Sequence, residues 1–351
     1  MLKVEQEIAI RAGSKVSIVR KNGIQVRTPS ITVALDPKSA SSCDYTFVSH
    51  AHIDHVHSPN GKSKVICSNE TKALAKIRGY DLGDTSEKAP GLELIDAGHI
   101  LGSRAILIED SVLYTGDFSK RDRAFLKGLS GVKCETLIME TTYGMPRYAF
   151  RDTAKVVADV SRVIANCFHQ CRPVVLCGYP LGKAQLISYL FHNWDPIYAH
   201  ESVHKMNSAH IDMGVSLRNF EPYYLRSSKK KESSVDTLAL TPWVMIAPLS
   251  SSRSGFIKML KEKYGALIIG FTGWALDSSY KYMMGLDYAF DISDHSDFPE
   301  LVEFAKNCSP SRIYTVHGFA AEFAAHLTTL GFDAQPLDGE GVQQSTLTSY
   351  G

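Results

Sequence analysis

The sequence predicts an α/β protein built from two parts, and three observations carry that reading. The chain has 351 residues, more than twice the ~150 residues of an average domain, so it holds two domains or one domain with a large insertion. Residues 1–150 read as short strands joined by turns. The middle alternates apolar strands with amphipathic segments, the signature of parallel strands connected by crossover helices. Hydrophobic residues at 44%, charged at 21% and aromatic at 10% exclude a disordered or fibrous chain.

In chain order, residues 16–19 and 24–26 flank Asn22-Gly23, a pair that favours a type I′ hairpin. Residues 31–35 are β-rich and stop at Asp36-Pro37, because proline cannot donate to a sheet ladder. Residues 45–49, 92–96, 105–109, 112–114 and 136–139 are further strands, each followed by turn residues. Over residues 151–170, Val156, Val157, Val160, Val163 and Ile164 recur at helical spacing. Buried strands are expected at 173–177, 243–247 and 266–269, with helices at 183–190 and 253–263. The polar run 226–233 interrupts them as an exposed loop. The chain then gives a strand at 288–292, a helix at 299–307, a strand at 312–316 and a helix at 320–330. It contains no internal repeat.

Thirty-eight Lys+Arg against 37 Asp+Glu leave a net charge of +1, so any polyanion must meet a local basic surface. No apolar run approaches the ~18 residues of a membrane span. The first residues alternate charged and apolar side chains, unlike a signal peptide. Seven scattered cysteines, mostly within apolar segments, are expected to be free and mainly buried, which suits a cytoplasmic location.

Histidine is the informative residue. Of 13 histidines, five fall at His50, His52, His55, His57 and His99. Four ligand-type side chains, His50, His52, Asp54 and His55, lie within six residues just after a strand. A helix cannot direct this spacing to one place, whereas a strand end turning into a loop can. Three imidazoles with a carboxylate suit Zn²⁺ or a related first-row metal in a binuclear site. His99 and Asp117 follow later strand ends as a fifth and sixth ligand, with Asp117 able to bridge two ions through its two oxygens. Asp36, also at a strand end, can orient a ligating imidazole from behind. His57, two residues past the cluster, reads as structural or as support behind the ligands, and His169, His192, His200, His204, His210 and His326 read as surface or core residues.

Asp36, the His-x-His-x-Asp-His run at 50–55, His99 and Asp117 resemble, in order, the motifs of the metallo-β-lactamase fold. Glu140, His295 in Ser-Asp-His-Ser-Asp and His317 in Thr-Val-His-Gly resemble motifs A, B and C of its β-CASP nuclease branch. The resemblance covers essentially the whole chain. It implies a four-layer αββα domain from residues 1–147 and 288–351, with an α/β β-CASP cap inserted at 148–287. It further implies that His50, His52 and His99 hold one metal, that Asp54, His55 and His317 hold the other, and that Asp117 is shared. Asp54, Asp117, Glu140 and His295 would be catalytic, His295 as general acid with its ring held by Glu140. Zn²⁺ is the expected pair of ions, with Mn²⁺ or Mg²⁺ as alternatives.

The glycine-rich turn before Lys183 and the serine-rich turn with Ser252 and Arg253 each open a helix, where free N–H groups favour phosphate. Both are expected to contact substrate, and Lys229–Lys231 would be solvated or track a nucleic-acid backbone. His317 at motif C matches RNA-processing relatives. Residues 178–185, 293–299 and 315–319 are more similar to compact prokaryotic DNA-ligase-associated exonucleases, implying DNA repair and a functional link to a DNA ligase. The expected activity is hydrolysis of phosphodiesters by a metal-activated hydroxide, with DNA exonuclease favoured over RNA processing. A small-molecule hydrolase would share the metal ligands but have no need of Glu140, His295 or the cap.

Overall fold

The computed structural model describes residues 7–8, 16–20, 23–58, 63–223, 242–251 and 254–337. Asn22, the loop at 226–233, Ser252 and Arg253 lie outside the described residues. The chain divides into two compact units, one of residues 1–122, 126–145 and 298–344, the other of 123–125, 146–297 and 345–351.

The first unit carries two sheets. One runs in chain order through β1 (Glu7–Ile8), β2 (Ser17–Arg20), β3 (Ile24–Arg27), β4 (Thr32–Leu35), β5 (Tyr45–Phe47), β6 (Lys64–Ile66) and β7 (Thr85–Ser86). It is antiparallel up to β4 and parallel from there on. The other comprises β8 (Leu92–Asp96), β9 (Arg104–Ile108), β10 (Val112–Tyr114) and β11 (Thr136–Glu140), completed by two strands from the end of the chain, Arg312–Val316 and Ala334–Pro336. Ile18, Val26, Leu35 and Phe47 of the first sheet pack with Ile106, Val112, Ile138 and Val316 of the second. Alternate residues Leu107, Leu113, Leu137 and Ile313 face the other way, onto Leu301, Phe304, Phe323 and Leu327 of two helices. The period-2 alternation of side chains thus gives the second sheet two apolar faces. A helix unforeseen in the strand-rich opening, α1 (Asn69–Ile77), starts where the Ser68 hydroxyl accepts from Thr71 N–H.

The second unit is a wholly parallel six-stranded sheet. Its strands are β12 (Val174–Gly178), β13 (Ile197–His200), β14 (Glu221–Tyr223), β15 (Val244–Pro248), β16 (Leu267–Phe271) and β17 (Tyr288–Phe290), in the spatial order β14-β13-β15-β12-β16-β17. Helices α2 (Thr153–His169), α3 (Lys183–Leu190) and α4 (Glu201–Asp212) contribute Val160, Ile187 and Val203 to one apolar cluster with the sheet. The clustering on the opposite face includes Ile257 and Leu260 of α5 (Gly255–Tyr264) and Tyr280 of α6 (Ser278–Met284). Helices α7 (Phe298–Cys308) and α8 (Ala320–Thr329), with β18 (Arg312–Val316) and β19 (Ala334–Pro336), return to the first unit.

The parallel sheet continues past residue 287: β17 pairs with β16, and the second unit extends to Asp297 and includes His295. Backbone hydrogen bonding decides this, since an apolar strand after a helix looks the same whichever sheet it joins. Among the described residues no helix is long and apolar enough to cross a membrane.

Candidate metal centre

The first unit brings the ligand-type residues together at the ends of its strands. β4 stops at Asp36, whose positive φ of 40° turns the carboxylate inward. β5 leads to Ser49 and His50, β8 to His99, β10 to Asp117, β11 to Glu140 and β18 to His317. β11 and β18 pair in parallel with Glu140 opposite Val316, which sets His317 just beyond Glu140. Close backbone approach is required here. A Cβ on Gly318, at φ +58°, would lie 2.4 Å from both Thr141 O and Thr142 Cα. The Thr141 hydroxyl donates to the His317 carbonyl at 2.6 Å.

Two donor groups form. His50, His52, His99 and Asp117 offer atoms all within 4.8 Å of one another, and so do His55, Asp117 and His317. Within the first, His52 Nδ1 lies 3.1 Å from His50 Nε2 and 3.0 Å from His99 Nε2. Asp117 belongs to both. Its Oδ2 is 3.6 Å from His50 Nε2, 3.6 Å from His55 Nε2 and 3.7 Å from His99 Nε2. Asp54 Oδ2 is 3.6 Å from His55 Nε2, on the side of the second group. Converging imidazole nitrogens around a shared carboxylate form a donor set that fits divalent metal. A polar surface loop has no reason to bury His50, His55 and His99 to 3% exposure or less.

Asp36 organises these ligands from behind. Its Oδ1 accepts the Ser49 N–H at 2.7 Å, and its Oδ2 accepts the Ser49 hydroxyl at 2.6 Å and the Tyr114 hydroxyl at 2.9 Å. His55 Nδ1 donates to the same Oδ2 at 2.8 Å. With its hydroxyl proton on Asp36, Ser49 Oγ accepts from His50 Nδ1 at 2.9 Å. Both imidazoles therefore carry their proton on Nδ1, leaving Nε2 to ligate. Sequence reasoning missed Ser49 and Tyr114, although each ends a strand expected from the sequence. Asp36→Asn should weaken metal binding by about 10–100-fold, the range for losing a ligand's orienting partner. Equilibrium metal titration of the variant checks this.

The charges fit the geometry. Burial opposes a charge on His55, but Asp117, Asp54 and Asp36 together outweigh it and hold its pKa well above the ordinary histidine value. His55 must surrender that proton to ligate, so occupancy is linked to proton release. Desolvation, reinforced by the His55 charge, pushes His317 down to about 4, leaving its ring neutral near pH 7 and able to ligate. Glu140 is buried, its two oxygens accepting the Phe118 N–H at 3.1 Å and the Thr142 N–H at 2.9 Å.

Of the other predicted site residues, His295 and Lys183 belong to the second unit. Lys183 corrects an expectation. It opens α3, but its side chain is 1% exposed and its Nζ donates to Asp294 Oδ1 at 2.8 Å instead of being presented to a phosphate. The helix-start pattern cannot distinguish an anion outside the protein from a carboxylate within it.

Comparisons agree with this architecture. Residues 288–335 match the family described as Zn-dependent metallo-hydrolase RNA specificity domain. A probable DNA ligase of Opitutus terrae is 34% identical over 304 residues, which cover 82% of this chain and 28% of the ligase. The cleavage and polyadenylation specificity factor subunit 3 of Dictyostelium discoideum is 25% identical over 371 residues, 80% of this chain and 47% of that one. The chain thus spans less than half the length of either relative. A crystal structure of an Enterococcus faecalis V583 protein of unknown function shares the fold, with a TM-score of 0.57 and 15% identity over 90% of this chain and 94% of that one. The ordered histidine and carboxylate motifs, the paired sheets, the parallel α/β unit and these similarities together support assignment to the β-CASP branch of the metallo-β-lactamase fold.

Proposed function

We propose that the chain is a metal-dependent nuclease that hydrolyses phosphodiester bonds, with DNA as its substrate. The observation that carries this reading is Asp117 Oδ2, 3.6–3.7 Å from imidazole nitrogens of both donor groups. One carboxylate serving two adjacent groups suits a two-ion phosphodiesterase. His50, His52 and His99 would hold one ion, Asp54, His55 and His317 the other, with Asp117 common to both. When bound, two such ions supply a nucleophile near neutral pH and neutralise charge on the phosphate. Asp36 keeps the His50 and His55 rings in the ligating tautomer. His295 donates the proton that the departing oxygen needs.

Similarity over most of the chain to a probable DNA ligase favours DNA and a working connection to strand joining. The RNA specificity description of residues 288–335 supports RNA processing as the second reading. Matched single-stranded DNA and RNA oligonucleotides of one sequence, labelled at either end, separate the two. A ladder from DNA is the expected result and gives the polarity. Preferential cutting of RNA would move the chain to RNA processing, and silence on both with metal bound would contradict nuclease action on simple strands.

A further inference from the structure

In the second unit, His295 ends a three-residue stretch gripped from several directions. Arg123 donates Nη1 to the Ser293 carbonyl at 2.5 Å and Nη2 to the Asp294 carbonyl at 3.0 Å. Lys183 donates Nζ to Asp294 Oδ1 at 2.8 Å. The Ser293 hydroxyl accepts the His295 backbone N–H at 3.1 Å. On either side, Arg151 Nε holds Asp291 at 2.8 Å and the Phe150 N–H holds Asp297 at 2.8 Å.

This grip is nearly dry: Lys183, Arg123 and Asp294 are 1%, 8% and 6% exposed. Lysine is almost never buried unless paired. A buried pair is weak evidence for stability, because desolvation can exceed the attraction and an apolar pair of similar volume is often no worse. Burial lowers Lys183 to about 8 even with Asp294 beside it. Room for its stem comes from a glycine at the end of β12, where a Cβ on Gly178 would lie 2.6 Å from Lys183 Cγ. What this arrangement supplies is geometry. The ion pair fixes Asp294, and the Arg123 fork fixes the backbone that carries the next residue.

We propose that Lys183, together with Arg123, is a positioning residue for the His295 proton donor, acting through Asp294 and not by binding substrate phosphate. This rests on His295 being the general acid. A misplaced acid slows only reactions whose leaving oxygen needs a proton. An oligonucleotide leaves as a strongly basic alkoxide. Thymidine 5′-(p-nitrophenyl phosphate) releases a nitrophenolate that is already stable near neutral pH.

The test measures kcat and KM of the metal-loaded full chain on both substrates for wild type, Lys183→Met, Lys183→Arg and His295→Ala. Lys183→Met should lower kcat on the oligonucleotide about ten- to a hundredfold with KM little changed, a fraction of a general acid's usual contribution. Turnover of the nitrophenyl ester should stay within about threefold, and Lys183→Arg should recover most of the oligonucleotide rate. Because Lys183→Met leaves Asp294 buried without its cation, Lys183→Met/Asp294→Asn is the companion variant. It should fold as wild type by thermal melting and show the same selective loss. Equal loss on both substrates in a folded variant, or no loss on either, would overturn the positioning role. Failure of the underlying reading looks different: wild type would cleave neither substrate, or His295→Ala would lose both equally.

Discussion

Asp117→Asn should abolish cleavage while leaving the fold intact, with a rate loss on the order of 10³–10⁵-fold, as when one member of a catalytic unit is removed. That loss corresponds to about 4–7 kcal/mol of barrier. The physical reason is the sharing of Oδ2 by nitrogens of both donor groups, at 3.6–3.7 Å. An amide has nearly the same volume but lacks the negative charge. Its oxygen bridges two cations poorly, and its NH₂ would point a donor at one of them. Binding of nucleic acid should survive, because Asp117 is 8% exposed and acidic and contributes nothing attractive to a polyanion. A gel-shift assay beside a cleavage assay separates the outcomes. Retained cleavage would remove Asp117 from its shared role.

His295→Ala has the second largest expected effect, a loss of about 10²–10⁴-fold in kcat on oligonucleotides. Both kcat and kcat/KM should fall together, since protonation of the leaving oxygen is realised in the transition state and not in the ground state. The pH profile gives a further sign. A general acid works in its protonated form, so the wild-type rate should fall on the alkaline side as His295 loses its proton. In His295→Ala that limb should disappear, leaving a lower and flatter profile. An unchanged alkaline limb would assign it to another group.

How far the sequence could be read differs between the two units for physical reasons. In the first, His50, His52, Asp54 and His55 lie on one strand-to-loop turn, and His99, Asp117 and His317 each follow a strand end. Parallel and antiparallel pairing carry those ends to one place; local spacing names His50, His52, Asp54, His55, His99 and Asp117, whereas His317 rests on the family resemblance. Asp36 was legible as a strand-ending carboxylate, but its grip on Ser49, Tyr114 and His55 depends on partners up to 78 residues away. Lys183 was misread for a similar reason. Its partner Asp294 lies 111 residues on, and a lysine after a glycine turn gives no sign of which way it faces. The extent of the second unit to Asp297 is not legible because β17 joins its sheet through long-range pairing with β16, which a short apolar run does not reveal. Helix α1 was missed because Ser68 caps a short segment whose buried residues are few, Thr71, Leu74 and Ala75.

Returning metal to the stripped chain shows whether two ions act together at these residues in phosphodiester hydrolysis. Zn²⁺ or Mn²⁺ would be added by equivalents while bound metal and cleavage of an end-labelled DNA strand are followed in the same samples. Two ions should bind per chain, and the rate should reach its plateau only with the second. A plateau at one equivalent, or cleavage by the fully stripped chain, would contradict their joint action.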